Sequence, residues 1–206
     1  MNDGRQSLRT FFAIWPDDTV RAELWQRAAF AAKACGGRAT RSDLLHLTLV
    51  FIGTTSRDRV ADLVSLMDTI DTPAFVLDLD CSGWFRQNGI VWAGTRSTSE
   101  PLIALHASLA SGAERLGFSL DVRPYAPHLT LARDATRSPP PGPMPSLPWR
   151  VGSFVLVQSK PGGAGPRYEI LRERALPTAS PRLQDAEATV NSTDDATDKR
   201  TLQTIR

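Results

Sequence analysis

The alternation of apolar and polar positions divides the chain into strand-like and helix-like stretches. Residues 9–15 contain the apolar run Phe11 to Trp15 and are followed by a proline, which predicts a buried strand. Acidic capping residues then precede apolar positions at helical spacing up to Gly36-Gly37, which predicts a helix. By the same criteria we expect strands at 44–51, 75–81, 90–93, 128–131, 151–158 and 168–174, and helices at 56–70 and 100–117.

The order of these elements repeats along the chain. A strand, a helix and a connection lead to His46, and the same series leads to His128. Phe12 lies 34 residues before the first histidine, and Val91 lies 37 residues before the second. Such a repeat predicts two lobes related by an approximate two-fold axis. We expect an α+β, bilobal fold in which two antiparallel sheets are related by a pseudo-two-fold, with the helices outside and a central cleft.

Residues 1–177 are expected to form this single bilobal domain. Beyond Pro177 the residues Ser, Thr, Asp and Ala dominate and apolar residues are sparse, which predicts a disordered C-terminal tail over residues 178–206. A chain of 206 residues is long enough to bury about 70% of its unfolded surface. Folding is therefore not expected to need a metal or a disulfide.

The tetrapeptide His-Leu-Thr-Leu occurs twice, at residues 46–49 and 128–131, in a chain that has only three histidines. In a strand successive side chains point to opposite faces, so each copy places an imidazole and a hydroxyl on one face and two leucines on the other. Two such strands brought together would form a cleft that contains two histidines and two threonines. The candidate site therefore comprises His46, Thr48, His128 and Thr130.

Two imidazoles with ordinary pKa values of about 6.5 can divide proton transfer at neutral pH, one as base and the other as acid. The neighbouring hydroxyls suit an anionic group held between them. Displacement at phosphorus requires a base for the attacking water, an acid for the departing oxygen and donors for the equatorial oxygens. A ribose 2′,3′-cyclic phosphate fits these requirements without a metal. Its strained ring carries a single negative charge and places the leaving oxygen in line with the water.

Composition narrows the remaining classes of function. The net charge of +2 provides no general electrostatic attraction for nucleic acid. The two cysteines, Cys35 and Cys81, lack the spacing of a metal site and suit reduced thiols in a cytosol. No stretch approaches the roughly 20 apolar residues of a membrane helix, and the N-terminus lacks the apolar core of a signal peptide. We therefore expect a soluble cytoplasmic protein without a cofactor or a membrane partner, and we expect it to act as a monomer.

The third histidine, His106, lies inside a predicted helix and has no partnered threonine, so we interpret it as structural. A metal site made of the three histidines and a cysteine would require His106 to leave its position in the predicted helix. The sequence also has no pair of such ligands two to four residues apart. The alternative to a catalytic interpretation is two core histidines bonded to the backbone, with threonines that merely favour strands. Repetition of the whole motif favours catalysis.

The doubled His-x-Thr-x motif on opposed strands of a two-lobed fold resembles the 2H phosphoesterase superfamily, and within it the LigT-like RNA 2′,3′-cyclic phosphodiesterases. The similarity extends from Leu8 to about Leu176. It includes five segments: Arg9-Thr-Phe-Phe-Ala-Ile-Trp-Pro16, His46-Leu-Thr-Leu-Val-Phe-Ile-Gly53, Val91-Trp-Ala-Gly94, Arg123-Pro-Tyr-Ala-Pro-His-Leu-Thr-Leu-Ala-Arg133 and Gly165-Pro-Arg-Tyr-Glu169.

The resemblance implies hydrolysis of terminal 2′,3′-cyclic phosphates of RNA to 2′-phosphates. It implies that His46 is the proton donor to the leaving oxygen and that His128 is the proton acceptor from water. Thr48 and Thr130 would hold the phosphate. Members of this family are also associated with a reversible 2′-5′ RNA ligation.

Other candidate residues flank the motifs. Arg133 matches a basic residue of the family after the second motif. Strict alternation would put it on the opposite face from His128, so it would reach the phosphate only if the strand ended or twisted there. Tyr168, in the shared Gly-Pro-Arg-Tyr segment, is a candidate for lining the groove. Three aromatic side chains are candidates for stacking on a terminal base: Trp84, Phe85 and Tyr125.

Two other functions remain open. A non-catalytic protein that binds RNA ends would keep the cleft, although it would have no need of two intact His-x-Thr pairs. A 2H enzyme for small cyclic nucleotides, such as ADP-ribose 1″,2″-cyclic phosphate or cyclic oligonucleotides, would use the same residues. Competition between an oligonucleotide with a cyclic phosphate end and small cyclic substrates would separate these possibilities.

Overall fold

The computed structural model of the protein describes residues 7–97, 99–140, 144–163 and 165–178. Apart from residue 178, the predicted C-terminal tail lies outside the described residues. The elements in chain order are β1 (Ser7–Ile14), α1 (Asp18–Cys35), β2 (Arg38–Ala39), β3 (Leu47–Ser56), α2 (Val60–Asp68), β4 (Phe75–Leu79), β5 (Cys81–Phe85), β6 (Ile90–Gly94), α3 (Glu100–Arg115), β7 (Leu129–Arg133), β8 (Leu147–Val151), β9 (Ser153–Lys160) and β10 (Arg167–Ala175).

Two antiparallel sheets are present, as the sequence predicts, but they are unequal in size. The larger sheet has the strand order β10-β9-β1-β3-β7-β6-β5, with β2 added beside β7, and the smaller sheet consists of β4 and β8. The two motif strands, β3 and β7, are neighbours at the centre of the larger sheet. In the described part of the chain they pair only through Leu47 and Leu129. They separate beyond this pair, which divides the larger sheet into two halves with the motifs at the junction.

Each half follows the predicted series of strand, helix and motif strand. Asp17 caps the N-terminus of helix α1, and its carboxylate accepts a hydrogen bond from the Val20 N–H at 2.9 Å. Gly36 caps the C-terminus and adopts the left-handed conformation, with φ of 69°, that glycine tolerates best. Helix α1 packs against β7, and α3 packs against β3. Each helix therefore supports the motif strand of the other half.

The larger sheet has two distinct faces, and alternate residues of β1 point to opposite faces. Phe12 and Ile14 are fully buried in the main core beside the helices, whereas Phe11 and Ala13 pack with residues of β9 on the opposite face. We call this second face the cleft face. The four leucines of the two motifs lie in the main core, as predicted. No helix in the described ranges is long and apolar enough to cross a membrane.

One predicted strand is divided in two. Residues 75–81 are predicted as a single strand, but β4 ends at Leu79 and β5 begins at Cys81 in the other sheet. The division is at Asp80, whose carboxylate accepts hydrogen bonds from the backbone and the side chain of Arg96. Strands β2 and β8 are absent from the prediction, because β2 has only two residues and β8 begins within a proline-rich stretch. Residues 82–85 of β5 are absent as well, since they lie between the predicted strands at 75–81 and 90–93.

Candidate active site

His46 and His128 occupy matching positions immediately before β3 and β7. In both cases Nδ1 is hydrogen-bonded to the carbonyl two residues earlier, at 2.7 Å to Leu44 and at 2.8 Å to Ala126. A carbonyl oxygen only accepts, so Nδ1 is the donor and carries the hydrogen of the neutral ring. Nε2 of each imidazole is therefore left for a ligand in the cleft.

A β-bulge follows the threonine of the first motif. Thr48 pairs with Ala13 and Val50 pairs with Phe12, so Leu49 is an extra residue of β3 opposite β1. Paired residues of neighbouring strands share a face, and Thr48 therefore lies on the cleft face with Ala13. Beyond the bulge the alternation of faces is shifted by one residue.

The second motif has the same bulge, and this bulge decides where Arg133 points. Leu131 is the extra residue of β7, between the pairs that Thr130 and Ala132 form with β6. Ala132 is consequently buried in the core, and Arg133 returns to the face of Thr130. The positive charge of Arg133 contributes to lowering the pKa of His46. Strict alternation, which would direct Arg133 away from the site, is therefore wrong for this strand.

Three aromatic rings surround the imidazole of His46. The Trp15 ring is stacked on it, with centroids 5.1 Å apart and an interplanar angle of 10°. The Phe11 ring lies at 5.1 Å, and the Tyr168 ring makes an edge contact at 5.2 Å. Phe11 lies on β1 and Trp15 directly follows its end, and Ala13 lies between them on the same face of the sheet.

Burial lowers the pKa of His46 to about 4, because it disfavours the charged form of the ring. The positive charges of Arg133 and His128 act in the same direction, whereas the hydrogen bond to Leu44 opposes them. His46 is therefore neutral near pH 7 in the free protein. Arg133 and His128 are therefore near enough to His46 to act on it electrostatically.

His128 makes an aromatic contact of its own with the edge of Phe85, at a centroid distance of 5.0 Å and an angle of 88°. Trp92 lies beside Phe85, with ring centroids 5.5 Å apart. The indole of Trp92 passes over Gly83, where an added Cβ atom would come within 2.1 Å of the ring. Glycine is required at position 83, because any side chain would displace the indole that packs against Phe85.

The structure brings most of the predicted site together. Thr48 and Thr130 are partly exposed on the cleft face, one in each motif. Tyr168 contacts His46, and Phe85 contacts His128, with the same edge-on geometry. The predicted residues that meet at the cleft are His46, His128, Thr48, Thr130, Arg133, Tyr168 and Phe85.

Tyr125 has a different environment from the other predicted site residues. Its ring stacks face to face on His106, with centroids 3.8 Å apart, and its hydroxyl donates to the carbonyl of Thr48 at 3.1 Å. Nδ1 of His106 donates to the carbonyl of Leu49 at 2.8 Å, as suits a structural histidine. Both side chains hold the backbone of the bulged motif strand, and His106 already occupies one face of the Tyr125 ring. Trp84, another candidate for stacking on a base, is partly buried and packs against the main core.

Sequence reasoning does not identify Phe11 and Trp15, although both contact His46. Alternate residues of a strand share a face, but a continuously apolar run predicts burial on both faces and hides such a site. Trp92 is missed for the same reason, since it lies in an apolar strand. Among the described residues, no group of three or more His, Cys, Asp or Glu side chains is arranged to hold a metal ion.

Residues 16–162 match the sequence model of a family described as the 2′-5′ RNA ligase superfamily. The chain is 37% identical over 173 residues to an RNA 2′,3′-cyclic phosphodiesterase of Escherichia coli strain K12, covering 82% of this chain and 96% of that protein. It is 30% identical to a protein of the same name from Thermus thermophilus, covering 82% of this chain and 90% of the relative. A crystal structure of E. coli LigT complexed with 3′-AMP is similar with a TM-score of 0.75 and 33% identity, over 83% of this chain and 99% of that chain.

Proposed function

Since the chain belongs to the 2′-5′ RNA ligase superfamily, we propose that it hydrolyses terminal 2′,3′-cyclic phosphates of RNA to 2′-phosphates. The observation that carries this proposal is the matched pair of imidazoles. His46 and His128 each keep Nδ1 on a backbone carbonyl, which leaves both Nε2 atoms for one substrate. The relatives named RNA 2′,3′-cyclic phosphodiesterase support the choice of substrate. The active unit in this proposal is a single domain of residues 1–177.

In the proposed reaction, Nε2 of His128 accepts a proton from a water molecule as the water oxygen attacks phosphorus. The bond between phosphorus and the 3′-oxygen breaks on the opposite side, and Nε2 of His46 donates a proton to that oxygen. The products are a free 3′-hydroxyl and a 2′-phosphate, and the two imidazoles end in exchanged protonation states. Each proton transfer of this kind contributes about 10²–10⁴-fold to the rate.

The proposed donor must be protonated when the bond breaks, yet His46 is neutral near pH 7 in the free protein, because its pKa is about 4. A bound phosphodiester brings a negative charge next to Nε2, which raises the pKa of the imidazole. We therefore infer that His46 takes up its proton together with the substrate. Titration calorimetry with a 2′-phosphate product, in buffers of different ionisation enthalpy, measures this uptake.

The equatorial oxygens of the phosphate need donors between the two imidazoles. In the proposal, Thr48 and Thr130 donate their hydroxyls, and the guanidinium of Arg133 supplies a positive charge. The position of Arg133 on the cleft face supports this role. Tyr168 and Phe85, which contact the two histidines, are proposed to line the groove around the terminal nucleotide.

The proposal also covers Tyr125, 2′-5′ ligation, and the oligomeric state and location of the protein. Tyr125 acts on the site only through its hydrogen bond to the carbonyl of Thr48. The same catalytic groups would support 2′-5′ ligation if the 5′-hydroxyl of a second RNA took the place of water. The protein is proposed to work as a cytoplasmic monomer, with no metal or other cofactor in the reaction.

The experiment that tests this function is hydrolysis of a short RNA with a 2′,3′-cyclic phosphate end, in excess chelator, with the product followed by ³¹P NMR. We expect turnover to a 2′-phosphate. Absence of turnover, turnover that the chelator abolishes, or a 3′-phosphate product would contradict the proposal. Competition with small cyclic nucleotides in the same assay identifies the preferred class of substrate.

A further inference from the structure

The cleft face continues past Tyr168 to an exposed pair of side chains, Arg9 on β1 and Phe51 on β3. The guanidinium carbon of Arg9 lies 5.3 Å from the centroid of the Phe51 ring, and 47% of Phe51 is exposed to solvent. Phe51 follows the bulge of β3 at the position that Arg133 occupies after the bulge of β7. The pseudo-two-fold therefore places an aromatic ring in one half where the other half has a guanidinium.

Arg9 supplies positive charge beside this ring. Its charge and that of Arg133 both lower the pKa of Tyr168, although burial has a larger effect in the opposite direction. Tyr168 therefore lies within the electrostatic reach of both guanidinium groups. None of the carboxylates in the described ranges forms an ion pair with Arg9. Among the described residues Arg9 therefore has no acidic partner, and its charge suits an anionic ligand.

A groove of about 470 Å³ lies beside Arg9, lined by Arg9, Ser159, Lys160, Pro161, Gly162, Gly165 and Pro166. Arg9 lies two residues beyond Phe11 on β1, on the side away from Trp15. The groove therefore lies beyond Phe11, on the side away from Trp15. Lys160 forms an ion pair with Glu169, which leaves Arg9 as the cation that faces the groove without a carboxylate partner among the described residues.

We propose that Arg9 and Phe51 form a subsite for the nucleotide that precedes the cyclic end of an RNA chain. Arg9 binds the phosphodiester that joins this nucleotide to the terminal one, and Phe51 stacks on its base. The inference rests on the proposed function, because it requires the cyclic phosphate to lie between His46 and His128. Phosphate contacts carry no sequence information, and a phenyl ring stacks on any base. The subsite therefore selects RNA chains over mononucleotides, without a preference for sequence.

The test compares kcat/KM for a 2′,3′-cyclic mononucleotide with kcat/KM for a trinucleotide that has the same cyclic end. We expect the wild type to prefer the trinucleotide. Arg9→Gln should lower kcat/KM for the trinucleotide about tenfold and Phe51→Leu about fivefold, while each changes the value for the mononucleotide by less than about twofold. Arg150→Gln on β8 and Phe30→Leu on α1 are matched controls, because both side chains are exposed and lie outside the cleft face.

Equal losses on the two substrates, or no loss on either, would overturn the subsite. Hydrolysis of neither substrate by the wild type would instead overturn the proposed function, and binding then decides the subsite without turnover. For this measurement a trinucleotide ending in a 2′-phosphate is titrated at several salt concentrations. Arg9→Gln should reduce the slope of log K against log salt by about 0.7, as expected for one phosphate contact on a single strand. An unchanged slope would contradict a contact between Arg9 and the chain.

Discussion

The two halves of the cleft have a common backbone plan but give their histidines different surroundings. His46 is enclosed by three aromatic rings, and its burial lowers its pKa to about 4. His128, by contrast, makes an edge contact with Phe85. In both halves Nδ1 donates to the carbonyl two residues earlier. The repeated backbone thus sets the tautomer of each imidazole, and burial among neighbouring side chains lowers the pKa of His46.

The two bulges likewise share a backbone geometry but differ in the side chains around them. The carbonyl of Leu49 accepts a hydrogen bond from the side chain of His106, while the carbonyl of Leu131 accepts one from the backbone N–H of Thr40. Different donors therefore stabilise equivalent bulges. The residue that each bulge turns toward the cleft is aromatic in the first half and cationic in the second, so similar geometry carries different electrostatics.

Removing either motif histidine should have the largest effect of any single change. We expect His46→Ala and His128→Ala each to lower kcat/KM for an RNA with a cyclic phosphate end by more than about a hundredfold, because each variant loses one proton transfer. His106→Ala is the matched control and should stay within about tenfold of the wild type. Comparable losses in all three variants would mean that the motif histidines have no special part in the chemistry.

Arg133→Gln should reduce the electrostatic difference between the halves. We expect kcat/KM to fall by about ten- to a hundredfold, because a charged donor to the phosphate is lost. The pKa of His46 should rise from about 4, since a neighbouring positive charge is removed. An NMR titration of the imidazole proton resonances follows this pKa, and Arg133→Lys should retain part of both effects. An unchanged pKa together with unchanged turnover would show that the bulge does not bring Arg133 to the site.

His106→Ala should act on stability, because it leaves the carbonyl of Leu49 without its side-chain donor. We expect the free energy of unfolding to fall by about 1–3 kcal/mol, measured by urea denaturation. Tyr125→Phe, which loses the hydrogen bond to Thr48 but keeps the stacked ring, should cost about 1 kcal/mol. If His106→Ala abolished turnover while stability stayed at the wild-type value, His106 would belong to the chemistry instead.

The lowered pKa of His46 should also make stability depend on pH. An unfolded histidine has a pKa of about 6.5, so between about pH 6.5 and pH 4 the unfolded chain binds a proton at this residue that the folded protein does not. Stability should therefore decrease as pH falls through this window. His46→Gln should remove this part of the dependence in denaturation measured from pH 7.5 to pH 4.5. Identical pH profiles for the two proteins would be inconsistent with a buried, neutral His46.

Features that depend on local pattern are predictable from this sequence. The doubled motif identifies both histidines, alternation puts its leucines in the core, and the capping residues Asp17 and Gly36 mark the ends of α1. The direction of Arg133 is not predictable in this way, because a bulge is defined by pairing with another strand. The division of residues 75–81 into two strands has the same origin, since β4 and β5 pair in different sheets.

Long-range packing also explains the aromatic residues that sequence reasoning misplaces or overlooks. Tyr125 precedes the second motif, yet its hydroxyl donates to the carbonyl of Thr48 in the first motif and its ring stacks on His106 of α3. Phe11 and Trp15 lie in an apolar run that looks entirely buried, yet they contact His46. In each case the function of the side chain depends on a neighbour that is distant in sequence.

The division of labour between the two histidines is tested most directly by a substrate whose leaving group needs no proton. Such a substrate is an RNA that ends in a 2′,3′-cyclic phosphorothiolate with sulfur at the 3′ position. A thiol has a pKa of about 8.5, so the thiolate departs without a proton donor. We predict that His46→Ala hydrolyses this substrate at nearly the wild-type rate, whereas His128→Ala remains impaired by more than about a hundredfold. If the substrate restored hydrolysis by His128→Ala and not by His46→Ala, or by neither variant, His46 would not be the proton donor.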